Sequence, residues 1–205
     1  MGDNQLKLVI VGDGACGKTC ALMVFAKNQF PTKYIPTVFE TYSCDLTNGW
    51  SLMLFDTAGQ DDYDRLRPLS YPHSNVIMVL YDVSNPVSLE NAKNKWLPEV
   101  RHYCPNVPII FCANKVDLRN DPRTLGQLQK RGGMKPVSAE EGLKMAKELD
   151  CNSYKEFSAM QNNGIREAFN EAGRLGMLHK QRKPFPSLAG DKSKAKSSKK
   201  GCTLL

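Results

Sequence analysis

Long apolar runs are absent from this sequence. No stretch approaches the roughly 18 consecutive apolar residues that a membrane-spanning helix needs, so no such helix is expected. Lys7 and Asp13 interrupt the first apolar run, and we therefore expect no secretory signal peptide. Leu6 stands where an N-myristoylation pattern requires Ser or Thr, which argues against that modification.

Paired metal-binding or catalytic residues are also lacking. The seven cysteines are odd in number and scattered, and no CxxC pair occurs, which argues against a structural zinc site and a thioredoxin-type motif. Only three histidines are present, and no Ser–His or Cys–His combination suggests covalent catalysis. We expect free thiols in a reducing cytosol.

Net charge is missing from most of the chain. Residues 1–178 contain 20 basic and 20 acidic residues, whereas residues 179–205 contain eight basic residues and one acidic residue. The net charge of +7 therefore belongs entirely to the C-terminal segment. A folded domain that binds nucleic acid is disfavoured by this distribution, and no nucleic-acid partner is expected for it.

The sequence does contain an alternation of strand-like and helix-like segments. Short apolar or alternating runs predict six strands, and the spacing of apolar residues between them predicts helices. This alternation favours an α/β domain with a mostly parallel sheet flanked by helices. The predicted strands are residues 6–11, 39–46, 50–55, 76–81, 107–113 and 154–157.

Helical spacing occurs in four segments. Residues 19–28 form one, and residues 88–103 form another that is bent or ended near its internal proline. Ser138 and Glu141 make a capping-box pattern before the third. The fourth is stopped before Pro184.

Residues 12–19 read GDGACGKT and match the phosphate-binding pattern G-x-x-x-x-G-K-[ST]. The motif follows a predicted strand and opens a predicted helix, so backbone N–H groups and the helix N-terminus would surround an anion. Lys18 would reach the β- and γ-phosphates of a nucleotide, and the Thr19 hydroxyl would bind Mg²⁺. A glycine-rich strand–helix turn with an incidental lysine is the alternative, and it fits this context less well.

The motif DTAGQ follows the predicted strand 50–55. Asp56 at the strand end could hold Mg²⁺ through water, Gly59 could offer its N–H to a γ-phosphate, and Gln60 could orient an attacking water. The bare D-x-x-G pattern is weak by itself, and its value comes from its place after a strand.

The motif NKVD follows the predicted strand 107–113. The Asp117 carboxylate could accept both the N1–H and the 2-amino group of guanine, a pair of donors that adenine lacks. A polar loop with a salt-bridged aspartate is the alternative for this motif alone.

Together these motifs resemble the small GTPases of the Ras superfamily, most closely the Rho family, over about residues 5–178. Residues 119–136 resemble the short helical insert of Rho proteins. The resemblance implies a P-loop small GTPase fold with a mostly parallel six-stranded sheet in a domain at residues 1–178. It is carried by GDGACGKT (12–19), YIPTVFE (34–40), DTAGQDDYDRLRPLSYP (56–72), NKVD (114–117) and SAM (158–160).

The resemblance implies roles for individual residues. Phe30 would pack across the guanine, Thr37 would contact Mg²⁺ and the γ-phosphate, and Lys115 would flank the base. The Ala159 N–H would meet guanine O6, and Gly14 would leave room for an incoming arginine. GTP or GDP and Mg²⁺ are the implied ligands.

The implied site residues fall into three groups. The catalytic group is Lys18, Thr37 and Gln60, and the metal-binding group is Thr19, Thr37 and Asp56. Two positions depart from the family: Asn114, where Thr is frequent, and Met160, where Lys or Leu is frequent. The nucleotide-binding group is Gly14, Ala15, Cys16, Gly17, Lys18, Thr19, Cys20, Phe30, Tyr34, Thr37, Asp56, Gly59, Asn114, Lys115, Asp117, Ser158, Ala159 and Met160.

Cys16 and Cys20 flank this phosphate loop. The helix N-terminus and Lys18 could lower a thiol pKa and make one of them redox-sensitive. The simpler interpretation is a pair of small buried thiols.

The resulting hypothesis is a switch that hydrolyses GTP slowly until a partner supplies an arginine. A GTP-loaded binding module that hardly turns over is the rival, and Gln60, Gly14 and Thr37 favour the enzyme because atypical Rho relatives alter these positions. A P-loop ATPase or kinase is disfavoured by the NKVD motif.

Two segments, 30–40 and 59–72, would be the first and second switch segments. They are unusually apolar for exposed loops, which indicates either partner binding or partial burial against the sheet. The resemblance implies effectors, exchange factors, GTPase-activating proteins and a dissociation inhibitor as partners, with signalling to the cytoskeleton, and we expect a monomer.

The C-terminus reads CTLL, a C-a-a-X pattern (202–205) whose final Leu favours geranylgeranylation of Cys202. We expect residues 179–201 to be a flexible polybasic tail that supplies a second membrane signal. The predicted location is the cytoplasm and the cytoplasmic face of the plasma membrane, and a nuclear-localisation or nucleic-acid role for the tail remains open. The lysines that would face an anionic membrane are Lys192, Lys194, Lys196, Lys199 and Lys200.

Overall fold

A computed structural model describes residues 4–33, 36–46, 49–183 and 188. In this part of the chain, six strands form one sheet in the order β2-β3-β1-β4-β5-β6, and only β2 runs antiparallel to its neighbour. The predicted α/β fold with a mostly parallel six-stranded sheet is confirmed. The strands are β1 (Gln5–Gly12), β2 (Phe39–Asp45), β3 (Ser51–Thr57), β4 (Val76–Asp82), β5 (Ile109–Asn114) and β6 (Ser153–Glu156).

Helices cover both faces of the sheet. The helix predicted at residues 88–103 begins earlier, because a proline suits the first helical position where no N–H is needed. Its internal proline does not end it, since a π-helical segment precedes that residue and the helix continues beyond it. The helices are α1 (Lys18–Lys27), α2 (Pro86–Asn91), the π-segment (Ala92–Trp96), α3 (Leu97–Tyr103), α4 (Pro122–Lys130), α5 (Ala139–Glu148) and α6 (Ile165–Lys180).

Side chains of β1 alternate between two cores, as the two-residue period of a strand requires. Leu8 and Ile10 point to a core shared with α1 and α6. Val9 and Val11 point to a second core shared with α3 and α5. Both faces of β1 are therefore buried, which explains its nearly continuous apolar sequence.

Two predicted local features are present. Ser138 Oγ accepts a hydrogen bond from the Glu141 N–H at 3.2 Å, and Glu141 Oε2 accepts one from the Ser138 N–H at 2.8 Å. This is the capping box predicted before α5. Within residues 119–136, α4 forms a short helix whose N-cap carboxylate, on Asp121, accepts the Thr124 N–H at 2.8 Å.

The C-terminal helix α6 continues to Lys180, past the predicted domain boundary at residue 178. Further along, the Leu188 N–H donates to the Cys151 carbonyl at 2.9 Å, and the Leu188 side chain packs against the second core. Cys202 and the tail lysines predicted to contact a membrane lie outside the described residues. Among the residues that are described, no helix has the length and apolar character needed to cross a membrane.

Candidate functional site

The described site residues lie mainly in the loops at the carboxyl ends of β1, β3, β5 and β6, with Phe30 and Thr37 in the segment before β2. This is the expected place for a ligand, because strand order reverses around β1 and the loops there diverge to leave a crevice. A cavity of about 490 Å³ lies in this crevice. Its lining includes Lys18, Thr19, Phe30, Thr37, Gly59 and Gln60.

The phosphate loop (12–19) is held in a closed turn. The Lys18 side chain is buried, and its Nζ donates to the Gly12 and Asp13 carbonyls, each at 2.8 Å. Gly17 has φ of 92°, and a Cβ there would lie 2.4 Å from Asn114 Nδ2. Only glycine satisfies both the backbone conformation and this approach.

The three predicted metal-binding residues come together. Thr19 Oγ1 donates to Asp56 Oδ2 at 2.5 Å, and Thr37 Oγ1 lies 2.7 Å from Thr19 Oγ1 and 3.2 Å from Asp56 Oδ2. Hydroxyl and carboxylate oxygens are the donors that Mg²⁺ prefers.

Asp56 has one carboxylate oxygen that takes no part in these hydrogen bonds. Its other oxygen, Oδ1, is buried and has no hydrogen-bond partner among the described residues. Burial raises the pKa of Asp56, and the hydrogen bonds from Thr19 and Thr37 only partly oppose this. A divalent cation would satisfy Oδ1 and stabilise the charged carboxylate, so the residues present fit Mg²⁺.

Gly59 brings the second switch segment against the phosphate loop. A Cβ on Gly59 would lie 2.5 Å from each of three backbone atoms: Asp13 C, Gly12 O and Gly14 N. Gln60 follows at once and lines the cavity. Around Gly14, by contrast, no described atom lies within 4 Å of an added Cβ. Among the described residues, none occupies the space beside Gly14.

The NKVD loop (114–117) ties the phosphate loop to the SAM loop (158–160). Asn114 Nδ2 donates to the Cys16 carbonyl at 2.9 Å, and Asn114 Oδ1 accepts from the Ala159 N–H at 3.2 Å. Lys115 Nζ donates to the Ala15 carbonyl at 2.9 Å and to Asp82 Oδ2 at 2.6 Å. Asn114, the first departure from the family pattern, thus bridges three loops.

Asp117 resembles Asp56 in one respect. Its Oδ1 is buried without a hydrogen-bond partner in the part of the chain that the structure describes. A buried carboxylate oxygen without a partner is costly, and a ligand with two N–H donors would remove that cost. The guanine-binding prediction for Asp117 therefore has a physical basis.

The remaining described site residues differ in exposure. Ser158 is buried, and its Oγ accepts the Gln161 N–H at 3.0 Å, which shapes the SAM loop. Phe30 is 45% exposed on the cavity rim, and Met160 is 63% exposed. Tyr34 lies outside the described residues.

The two thiols near the phosphate loop are not activated. Burial raises the pKa of Cys16, which is fully enclosed, and also the pKa of the half-buried Cys20. A raised pKa disfavours the thiolate, so the structure favours the buried-thiol interpretation over redox sensitivity.

Sequence reasoning missed a group centred on Arg67. This buried side chain donates from Nε to the Ala58 carbonyl at 2.9 Å, from Nη2 to the Gln60 carbonyl at 3.2 Å, and from Nη1 to both Glu99 oxygens at 2.9 and 3.2 Å. Tyr71 Oη also donates to Glu99, at 2.5 Å. Arg67 lies in a recognised motif, but no local pattern points to Glu99 on another helix.

The apolar residues of the switch segments divide into two groups. Tyr71 is buried, as the alternative of packing against the sheet predicts. Four others are exposed by between 49% and 76%: Val38, Phe39, Leu66 and Leu69.

Fold and site together define an α/β nucleotide-binding protein with a phosphate loop. A family model for the Ras family matches residues 7–176. The GTP-binding protein RHO1 of Saccharomyces cerevisiae is 49% identical over 202 residues, which is 97% of this chain and 95% of the yeast protein. The chain therefore belongs to the Ras family, as a Rho-type small GTPase.

A Rho-type small GTPase is a switch that binds GTP and GDP with Mg²⁺, hydrolyses GTP and signals to effectors. Its kinds of partner are effectors, exchange factors, GTPase-activating proteins and dissociation inhibitors. It works in the cytoplasm and in association with membranes.

Proposed function

We propose that the crevice at the carboxyl ends of β1, β3 and β5 is the site where this chain binds and hydrolyses GTP, with Lys18, Thr37 and Gln60 as its catalytic residues. The observation that carries the proposal is a pair of buried carboxylate oxygens that have no hydrogen-bond partner among the described residues. One belongs to Asp56 at the phosphate end and the other to Asp117 at the base end. GTP with Mg²⁺ supplies complementary groups to both.

At the phosphate end, the Lys18 ammonium would exchange its two loop carbonyls for β- and γ-phosphate oxygens. Thr19 and Asp56 would hold Mg²⁺, with Thr37 added in the GTP state; the ion supplies positive charge to the β- and γ-phosphates. Gln60 would orient the attacking water, since it lines the same cavity.

Slow intrinsic turnover follows from what lines the cavity. The described lining residues include no arginine, and the nearby Arg67 is fully engaged by Glu99 and backbone carbonyls. The open space beside Gly14 would admit an arginine from a partner. A GTPase-activating protein would therefore complete the site.

The hydrolysing switch and the GTP-loaded module differ in their resident nucleotide. We would denature the purified full chain and identify what it releases. GDP supports the proposal, GTP supports the module, and ADP or ATP contradicts both.

Gln60 then tests the assigned residues. We expect Gln60→Leu to retain GTP because the water is no longer oriented, while the matched surface variant Gln129→Leu on α4 releases GDP. Unchanged hydrolysis by Gln60→Leu, with or without an activating partner, would exclude its catalytic role.

We also propose that the switch segments bind partners through their exposed apolar residues. Val38 and Phe39 lie on the first segment, and Leu66 and Leu69 lie on the second. Thr37 of the first segment and Gly59 and Gln60 of the second line the cavity. The conformation of both segments would therefore depend on whether a γ-phosphate is bound there.

The membrane association is proposed to come from geranylgeranylated Cys202 and the five tail lysines. One prenyl chain gives marginal binding, and basic residues near an anionic leaflet add to it. In cells that prenylate, we expect Cys202→Ser to move the full chain to the soluble fraction and the control Cys44→Ser to leave it on membranes. Membrane retention of Cys202→Ser would contradict lipid anchoring at this residue.

A further inference from the structure

The π-segment aligns two side chains that an α-helix would separate. The Leu97 N–H donates to the Ala92 carbonyl, five residues earlier, as a π-helix requires. Residues five apart, such as Asn91 and Trp96, then lie on nearly the same face, whereas α-helical geometry would turn them about 140° apart. The sheet-facing side of this helix can therefore offer two donors to one acceptor.

That acceptor is Asp13 of the phosphate loop. Trp96 Nε1 donates to Asp13 Oδ1 at 2.7 Å, and Asn91 Nδ2 donates to Asp13 Oδ2 at 2.8 Å. Trp96 is only 1% exposed, so its indole N–H is committed to this hydrogen bond rather than to water.

The face of the same indole supports the second switch segment. The Arg67 guanidinium carbon lies 4.5 Å from the ring centroid, and this guanidinium donates to the Gln60 carbonyl at 3.2 Å. Lys95 Nζ lies 4.8 Å from the ring centroid and donates to Asp61 and Asp64. One indole thus contacts both the phosphate loop, through Asp13, and groups that bind the second switch segment, through Arg67 and Lys95.

We propose that Trp96 is a positioning residue for GTP hydrolysis: through Asp13 and Arg67 it holds the phosphate loop and the Gln60 backbone in a fixed mutual position. Trp96 is not among the described residues that line the cavity, so its role would be exerted through the residues that it holds. The inference rests on the proposed catalytic role of Gln60. Misplacement of a catalytic group by about 1 Å can reduce a rate on the order of 100-fold.

The test is single-turnover GTP hydrolysis by the full chain with Trp96→Phe. Phenylalanine keeps an aromatic platform for Arg67 but removes the donor to Asp13. The matched control is Trp50→Phe, because Trp50 is the chain's other tryptophan and lies before β3, far along the chain from this helix. We expect hydrolysis to fall about tenfold or more in Trp96→Phe, with GDP affinity changed less than about threefold.

Combining Trp96→Phe with Gln60→Leu distinguishes a positioning role from a general loss of structure. If Trp96 acts through Gln60, Trp96→Phe slows hydrolysis in the parent chain and has no further effect in the Gln60→Leu background. Equal slowing in both backgrounds, or none in the parent, overturns the proposal while the function of the site stands. If Gln60→Leu alone hydrolyses GTP at the parent rate, Gln60 does not have its proposed catalytic role.

Asp13→Ala provides a second route if Trp96→Phe folds poorly. It removes the acceptor from the loop and leaves the tryptophan in its core. We expect the same loss of hydrolysis, and a double variant no slower than either single variant. Additive losses would mean that Asp13 and Trp96 act independently, which contradicts the proposal.

Discussion

Arg119 and Glu156 form a bidentate ion pair that joins the segment after the NKVD loop to the end of β6. Arg119 Nη1 and Nη2 donate to Glu156 Oε2 and Oε1 at 3.0 and 2.8 Å. Arg119 directly follows a helical turn (Val116–Leu118) that begins within the NKVD loop, and Glu156 ends β6 just before the SAM loop. Burial alone would raise the pKa of Glu156, but hydrogen bonds from Arg119 and Tyr154 outweigh it and keep that pKa below its usual value.

Breaking this pair should loosen the nucleotide. In Arg119→Gln we expect GDP to dissociate up to about fivefold faster, because a partly exposed ion pair contributes about 1 kcal/mol and both base loops depend on this one. Fluorescent GDP release measures the rate.

The matched control is Arg174→Gln. Arg174 also pairs with a glutamate through two hydrogen bonds, of 2.8 and 2.9 Å to Glu171, but on the outer face of α6. Its loss should leave GDP release unchanged. Equal acceleration by both variants would show that the Arg119 pair has no specific link to the base loops.

Substitution by alanine should destabilise the protein at one glycine of the site and have almost no effect at another. Gly59→Ala places a Cβ 2.5 Å from phosphate-loop backbone, which cannot move without shifting that loop, so we expect a loss of about 1–3 kcal/mol in unfolding free energy. Gly14→Ala meets nothing within 4 Å and should change the unfolding free energy by less than about 0.5 kcal/mol. Thermal unfolding of the GDP-bound proteins compares them, and similar destabilisation of both would contradict this reading of the loop.

The capping box of α5 should give a pH-dependent contribution to stability. The hydrogen bond from the Ser138 N–H, followed by that from its hydroxyl, holds the pKa of Glu141 below its ordinary value of 4.5. Because the folded-state pKa is lowered, the contribution is present above pH 4.5 and is lost as pH falls through the folded-state value.

Glu141→Gln tests this sign. The neutral amide should lower the free energy of unfolding by about 0.5 kcal/mol at neutral pH. Urea unfolding measured down to about pH 4 should show this difference from the parent chain becoming smaller. Glu140→Gln, which lies in the same first helical turn but outside the box, serves as the control. A difference in the free energy of unfolding that grows as the pH falls would contradict a lowered pKa for Glu141.

Asp117→Asn should weaken guanine nucleotides selectively. The amide brings an N–H donor toward two guanine donors, and we expect GDP affinity to fall on the order of 100-fold or more while weak ADP binding is not reduced. Asp121→Asn, at the N-cap of α4, is the nearby control. Retained GDP affinity in Asp117→Asn would contradict its role at the base.

Local chemistry explains what the sequence could predict. The phosphate loop and the Ser138–Glu141 box are contiguous patterns in which spacing alone determines which groups meet. The exposed and buried members of the switch segments could not be separated in this way. Tyr71 is buried because it donates a hydrogen bond to Glu99 and packs in the second core. The spacing of residues within the segment does not indicate these partners.

Contacts between distant elements account for the remainder. Arg67 and Glu99 are 32 positions apart, and Trp96 and Asp13 are 83 apart. The internal proline indicates a bend in this helix, but it indicates neither a π-segment nor the direction of the Trp96 side chain.

The hydrogen bond from Leu188 to Cys151 sets the point on the folded domain from which the chain continues to the proposed lipid anchor at Cys202. From Leu188 to Cys202 there are 14 residue steps, and a chain of that length reaches at most about 50 Å even when fully stretched. Measured from the end of α6 at Lys180, the limit would be about 75 Å. While Leu188 keeps this contact, the chain free to reach the proposed anchor is therefore about a third shorter than a chain that begins at the end of α6.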